Sequence, residues 1–139
     1  RYLTMRKEYI DILECVGHGF WEWNPIANLI SLSPQWITML GYDVKEFEQT
    51  KDKWMSLIHP DDLTYCLNEL TALLSGRTKH YQHQHRMLCQ DGSYKWVLDQ
   101  AKVIAYNPNG YPTKVVGTHT DIDELRTTLE MYKQQRIKP

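Results

Sequence analysis

Apolar side chains at Tyr2, Met5, Tyr9, Ile12, Leu13 and Val16 recur three or four residues apart, the stripe of an amphipathic helix that Gly17 is suited to end. The period then drops to two. Phe20 to Asn24 reads as a strand with Trp21 and Trp23 on one face, Pro25 to Asn28 as a turn, and Leu29 to Leu32 as a second strand. Ser33-Pro34 predicts a helix start, with Ser as N-cap and Pro at the first helical position. That helix is short, carrying Trp36, Ile37, Met39 and Leu40 to a stop at Gly41. Residues 43–57 read as one or two helical turns with Phe47, Trp54 and Leu57. His59-Pro60-Asp61-Asp62 opens a longer helix over roughly residues 61–75, its acids complementing the N-terminal dipole. Leu63, Cys66, Leu67, Leu70, Leu73 and Leu74 follow at helical spacing up to Gly76.

Tyr81 to Asp123 reads as three consecutive strands. Asp91-Gly92 divides the first two, and both residues tolerate the positive φ of a type I′ hairpin turn. Asn107-Pro108-Asn109-Gly110 divides the second from the third. The last strand, over 112–122, stops on Asp121-Ile122-Asp123, after which Leu125, Leu129 and Tyr132 continue the spacing from Ile122 in heptad-like steps. The order is helix, two strands, a helical cluster, three strands, helix. Strands joined by tight turns pair antiparallel, so the class is α+β. A sheet that feeds a helix at the domain edge can export a conformational change, which suits a receiver of signals better than a catalyst.

The 139 residues fit one domain, long enough to bury about two-thirds of its unfolded surface. A net charge of −1 speaks against a nucleic-acid surface. No apolar run approaches the roughly 20 residues of a membrane span, and no signal peptide is visible. The opening on Arg1 rather than Met leads us to expect a piece of something longer, in which a membrane anchor stays open. Three cysteines (Cys15, Cys66, Cys89) without a C-x-x-C pair indicate neither a disulfide framework nor a zinc knuckle, so a reducing, cytoplasmic setting is expected. Five Trp and nine Tyr predict a core built from large rings.

Seven local strings in this order resemble the PAS domain over nearly the whole chain. They are Trp21-Glu22-Trp23-Asn24, Ser33-Pro34-Gln35-Trp36, Met39-Leu40-Gly41-Tyr42 and Ile58-His59-Pro60-Asp61-Asp62, followed by His85-Arg86-Met87, Asp91-Gly92-Ser93-Tyr94-Lys95-Trp96-Val97 and Val116-Gly117-Thr118-His119-Thr120-Asp121-Ile122-Asp123. The subtype resembles modules with a C-terminal PAC segment in bacterial multidomain signalling proteins. The resemblance implies a five-stranded antiparallel sheet in order 2-1-5-4-3, with short helices enclosing a pocket on one face and flanking helices at both ends. The expected divisions are residues 1–17 for the N-terminal flanking helix, 18–123 for the domain and 124–139 for a C-terminal signalling helix or linker. Asp121, Ile122 and Asp123 fall where the family carries its Asp-Ile-Thr signal-transfer motif, with Asp in place of Thr but still able to cap the next helix. A covalently linked output domain, a histidine kinase or a cyclic-dinucleotide synthase or hydrolase, is implied as well.

Candidate chemistry is sparse. Cys66 lies on an apolar stripe and lacks the Asn-Cys-Arg-Phe-Leu-Gln context that attaches flavin covalently in light-sensing relatives, so it reads as a core residue. The long helix that supplies an axial His in haem-binding relatives contains none, His59 lying just before it, so haem by that route is not expected. The cofactor is otherwise unknown. His83 and His85 share a strand face with Tyr81 and Met87, and His119 lies on the final strand. With no carboxylate or cysteine at matching spacing, no metal site is expected; the two histidines read as satisfied polar residues lining the sheet, with His85 the candidate to face a small polar ligand. The pocket candidates are Trp23, Ile30, Leu40, Leu67, His85, Met87 and Val97. Strand parity puts Trp96 and Val97 on opposite faces, and we place Val97 inward and Trp96 outward, under a terminal helix or a second subunit. No nucleophile elbow or phosphate loop is present, so no catalytic residue is assigned. The apolar stripes of the terminal helices predict a homodimer. Two functions compete: a sensor that binds a small ligand and relays a change through its C-terminal helix, and a ligand-free module for assembly.

Overall fold

The computed structural model describes residues 2–137, with side chains for residues 7–136, so the apolar positions expected at Tyr2 and Met5 lie outside the described side chains. The elements are α1 (Tyr2–Cys15), β1 (His18–Asn24), β2 (Leu29–Leu32), α2 (Pro34–Thr38), α3 (Lys51–Leu57), α4 (Pro60–Leu74), β3 (His80–Leu88), β4 (Tyr94–Tyr106), β5 (Pro112–Asp121) and α5 (Asp123–Ile137). The five strands form one antiparallel sheet in the order β2-β1-β5-β4-β3, as the resemblance implied.

Period-two alternation puts one face of the sheet against the short helices. Trp21, Trp23, Val115, Val97, Ala101, Tyr81 and Met87 are buried on that face. Over them lie Trp36, Ile37, Leu40, Phe47, Trp54, Leu57, Cys66, Leu70 and Leu73 from the helical segment. The large rings need two close approaches. At Gly19 a Cβ would stand 2.6 Å from the Trp36 Cα, so the glycine lets α2 lie directly on β1. At Gly117 a Cβ would run into the Gln100 carbonyl oxygen and the Trp21 ring. Gly117 is the cross-strand partner of both Trp21 and Ala101, and its missing side chain is the space the indole occupies.

Three local expectations are corrected. Asp91-Gly92 does not form a type I′ turn: only Gly92 has positive φ (90°), and the loop is longer. The Gly92 amide donates to the Cys89 carbonyl (3.0 Å), the Cys89 amide donates to the Ser93 carbonyl (2.7 Å), and the Asp91 carboxylate takes the Ser93 amide (2.9 Å). The Asp side chain stabilises an ordinary turn, and a positive φ at glycine alone closes it. Ser33 stands at the N-cap of α2 but makes no side-chain cap bond. Its hydroxyl instead accepts the Phe20 amide (2.8 Å), extending the β1–β2 ladder by one rung. Asp123 does not cap α5 with its carboxylate, which accepts the Trp96 amide on β4 (3.1 Å).

Leu13 of α1 lies beside Phe20 on the outer face of the sheet, while Tyr9, Ile12 and Val16 are exposed. Helix α5 leaves Leu125, Leu129, Met131 and Tyr132 exposed. Val97 is fully buried, and Trp96 lies on the opposite face under α5, with the Arg126 guanidinium 3.6 Å from its ring centroid. Among the described residues, no helix is long and apolar enough to cross a membrane.

Candidate functional site

Between the sheet and α2 and α3 lies a space lined by Trp21, Trp23, Ile30, Trp36, Trp54 and His119. The space left free is about 20 Å³, close to one water-sized sphere. Of the expected pocket residues, Trp23 and Ile30 line it. Leu40, Met87 and Val97 are buried in the surrounding core instead. Leu67 is partly buried, because Cys66 and Leu70 are the positions that α4 turns inward. His85 belongs to a separate polar cluster.

Strand register builds that cluster. Gly19, His119, Asp99 and His83 are successive cross-strand partners, so one row of the inner face runs across four strands and carries three titratable side chains. His85 sits one pleat along β3 from His83. All four titratable residues are buried, Asp99 and His85 completely. The Asp99 carboxylate accepts from the Tyr81 hydroxyl (3.2 Å), His85 Nε2 (3.1 Å) and His119 Nε2 (3.2 Å). Burial alone would push its pKa up, but His119 and His85 override that and hold it well below the ordinary carboxylate value. Burial, reinforced by Asp99, lifts the Tyr81 phenol well above its ordinary value. Burial likewise pushes the Cys66 thiol up to about 12 and lowers His83. Trp36 stacks on the His119 ring at 5.1 Å and ties the cluster to the aromatic cavity.

These contacts correct the expectation that no carboxylate or cysteine accompanies the histidines. Asp99 lies between His85 and His119, and Cys66 comes within 4.8 Å of ligand nitrogens on His83 and His85. The signal for Asp99 was its parity with Val97: two residues apart on one strand, both face the core. Cys66 carries no such signal, because only tertiary packing sets α4 against β3.

The sheet ends in a second cluster. Lys95 Nζ donates to the Met39 carbonyl just past α2 (2.9 Å) and pairs with the Asp121 carboxylate (3.0 Å). The other Asp121 oxygen takes the Asp123 amide at the start of α5 (3.0 Å). The Ile122 amide donates to the Trp96 carbonyl (3.1 Å), while Asp123 returns a bond to the Trp96 amide. Arg126 covers the Trp96 ring and reaches Gln84 on β3 (2.6 Å). Asp121, Ile122 and Asp123 thus fasten β4, β5, the end of α2 and α5 at one point.

A five-stranded antiparallel sheet in this order, covered by short helices and leading into a terminal helix, defines the PAS class of sensor domain. The family model described as the PAS fold matches residues 29–119, and the chain belongs to that family. It is 26% identical over 99 residues to the methyl sulfide methyltransferase-associated sensor of Methanosarcina acetivorans, covering 71% of this chain. It is 25% identical over 113 residues to the probable diguanylate cyclase DgcE of Escherichia coli, covering 76% of this chain. The matched region spans about a tenth of the length of each of these relatives. Among solved structures, a sensory box histidine kinase/response regulator from Burkholderia thailandensis superimposes with a TM-score of 0.78 at 25% identity, covering 94% of this chain and 95% of that one. The N-terminal domain of a diguanylate cyclase from Marinobacter aquaeolei shares the fold, with a TM-score of 0.68 at 22% identity, covering 78% of this chain and 98% of that one. The chain is therefore a sensory signalling module.

Proposed function

We propose that the chain is the sensing and relay unit of a longer signalling protein. A small ligand, or repacking of the aromatic space, shifts β5 against its neighbours, and Asp121-Ile122-Asp123 passes the shift into α5. The observation that carries this reading is the junction itself: Asp121 joins Lys95 to the first amide of α5. A displacement of β4 or α2 therefore acts on the helix through hydrogen bonds. A ligand biases such a two-state element only by its differential affinity for the states. Helices α1 and α5 pair with those of a second copy through their exposed apolar residues, and α5 continues toward a covalently linked output domain, a histidine kinase or a cyclic-dinucleotide enzyme. The test is Asp121→Ala in the full-length protein. The expected result is loss of the output response with little change in domain melting, because a half-exposed ion pair contributes at most about 1 kcal/mol. A normal response from this variant would sink the relay.

A second reading is a ligand-free module whose aromatic space is filled by its own rings and whose task is assembly. The small free volume favours it. Native mass spectrometry and an absorbance spectrum of the purified domain separate the two. A retained small molecule supports sensing, and an empty dimer supports assembly.

A further inference from the structure

The buried cluster brings three side chains with metal-ligating atoms together. Cys66 Sγ, one ring nitrogen of His83 and one of His85 lie within 4.8 Å of one another. The Nδ1 atoms of His83 and His85 are both buried and without a hydrogen-bond partner. An unpartnered buried nitrogen is costly, and a pair beside a cysteine needs an explanation. His85 supplies part of one. Its Nε2 is committed to Asp99, which fixes the ring and leaves Nδ1 as a lone-pair donor. Carboxylate–histidine–metal relays have this form, with the carboxylate orienting the imidazole and raising its basicity.

We propose that Cys66, His83 and His85 bind one zinc ion, with Asp99 as the positioning residue behind His85. The donor set, one thiolate and two imidazoles, suits zinc, and three protein ligands leave a fourth position for water or another small donor. Charge balance supports the assignment. Binding releases the Cys66 thiol proton to solvent as Sγ takes up the ion. The resulting thiolate and the Asp99 carboxylate together offset the two positive charges in a site closed to solvent. Tyr81 and His119 hold Asp99 from its other sides, so it stays aimed at His85. The donors sit on α4 and β3, so the ion fastens that helix to the edge strand of the sheet.

The test is a titration of the chelator-treated chain with Co²⁺, then displacement by Zn²⁺. The expected result is one Co²⁺ per chain with visible bands of a tetrahedral site and a thiolate-to-cobalt charge-transfer band. Cys66→Ser should remove the charge-transfer band, while Cys15→Ser and Cys89→Ser keep it. His83→Gln should abolish tight binding, and Asp99→Asn should weaken it roughly 10–100-fold while the charge-transfer band remains. A band that survives Cys66→Ser, or a wild-type chain that binds no Co²⁺, overturns the proposal. Should the variants fail to fold, zinc X-ray absorption on the wild-type chain decides it. One sulfur with nitrogen donors supports the site, and a shell without sulfur refutes it.

Discussion

Removing the Asp99 carboxylate should be among the most damaging single changes to this fold. Asp99 is fully buried and is the shared acceptor of Tyr81, His85 and His119. In Asp99→Ala three buried donors lose their partner at once, and breaking a buried charged network in this way costs about 3–5 kcal/mol. Asp99→Asn is milder. Its carbonyl oxygen can serve both histidines and its amide can donate to the Tyr81 hydroxyl oxygen, so the loss is the charge assistance on two bonds, about 2 kcal/mol. Urea titration in chelating buffer at neutral pH reads both variants as a lower midpoint at unchanged slope. The acid limb supplies an independent check. The unfolded carboxyl takes up its proton near 3.8, the folded one only well below that. The unfolded state therefore binds more protons in that interval, and wild-type stability falls as pH drops through about 4. His83 adds a loss that begins higher: burial lowers its folded pKa, so stability falls once pH drops below 6.5, where the unfolded ring protonates. Asp99→Asn should lose the lower limb and keep the upper one. An Asp99→Ala midpoint equal to wild type, or an unaltered acid limb in Asp99→Asn, would refute the reasoning.

Gly117→Ala should destabilise the domain by about 1–3 kcal/mol in urea, since the added methyl meets the Trp21 ring and the Gln100 carbonyl; Trp21→Phe in the same chain should restore part of the loss. Cys15, which is exposed, should be alkylated rapidly at neutral pH, while Cys66, buried with its thiol pushed up to about 12, should react only after unfolding; mass spectrometry of the labelled chain reads both. Asp62→Ala should cost about 1–2 kcal/mol by thermal melting, because its carboxylate takes the Arg86 amide (2.8 Å), Nε (3.0 Å) and the terminal guanidinium nitrogen (2.9 Å) and so fastens the start of α4 to β3.

Sequence patterning made the element order and the antiparallel pairing legible, because the turns are flagged by Asp, Asn or Gly, while the strand order was implied by the resemblance to the PAS family. Val97 and Trp96 lie on opposite faces, as parity predicts, with Val97 on the inner one. What patterning misses is set across the sheet. Asp99 is a single acid between Leu98 and Gln100 until the register of β4 places it between His83 and His119. Leu67 and Cys66 are equally apolar on one helical stripe, and only the tilt of α4 chooses Cys66 for the interior. Ser33 has the identity of a helix cap, yet a nearby free amide on Phe20 offered its hydroxyl a different partner. The Asp91-Gly92 turn differs for a related reason: the Asp side chain satisfied two nearby donors and so held its own backbone in the ordinary region.

The row of His83, Asp99, His119 and Gly19 also bears on how the sheet finds its alignment. Apolar cores forgive small errors, since one branched side chain replaces another at modest cost. A β4 slipped by one residue would send Asp99 to the outer face and leave the histidine donors sealed in without an acceptor. The same slip would carry Ala101 away from Gly117 and set a neighbouring residue of β4 against the glycine. The polar row therefore works as a key cut across four strands. It penalises neighbouring alignments far more than it rewards the native one, so its main contribution is to the uniqueness of the sheet.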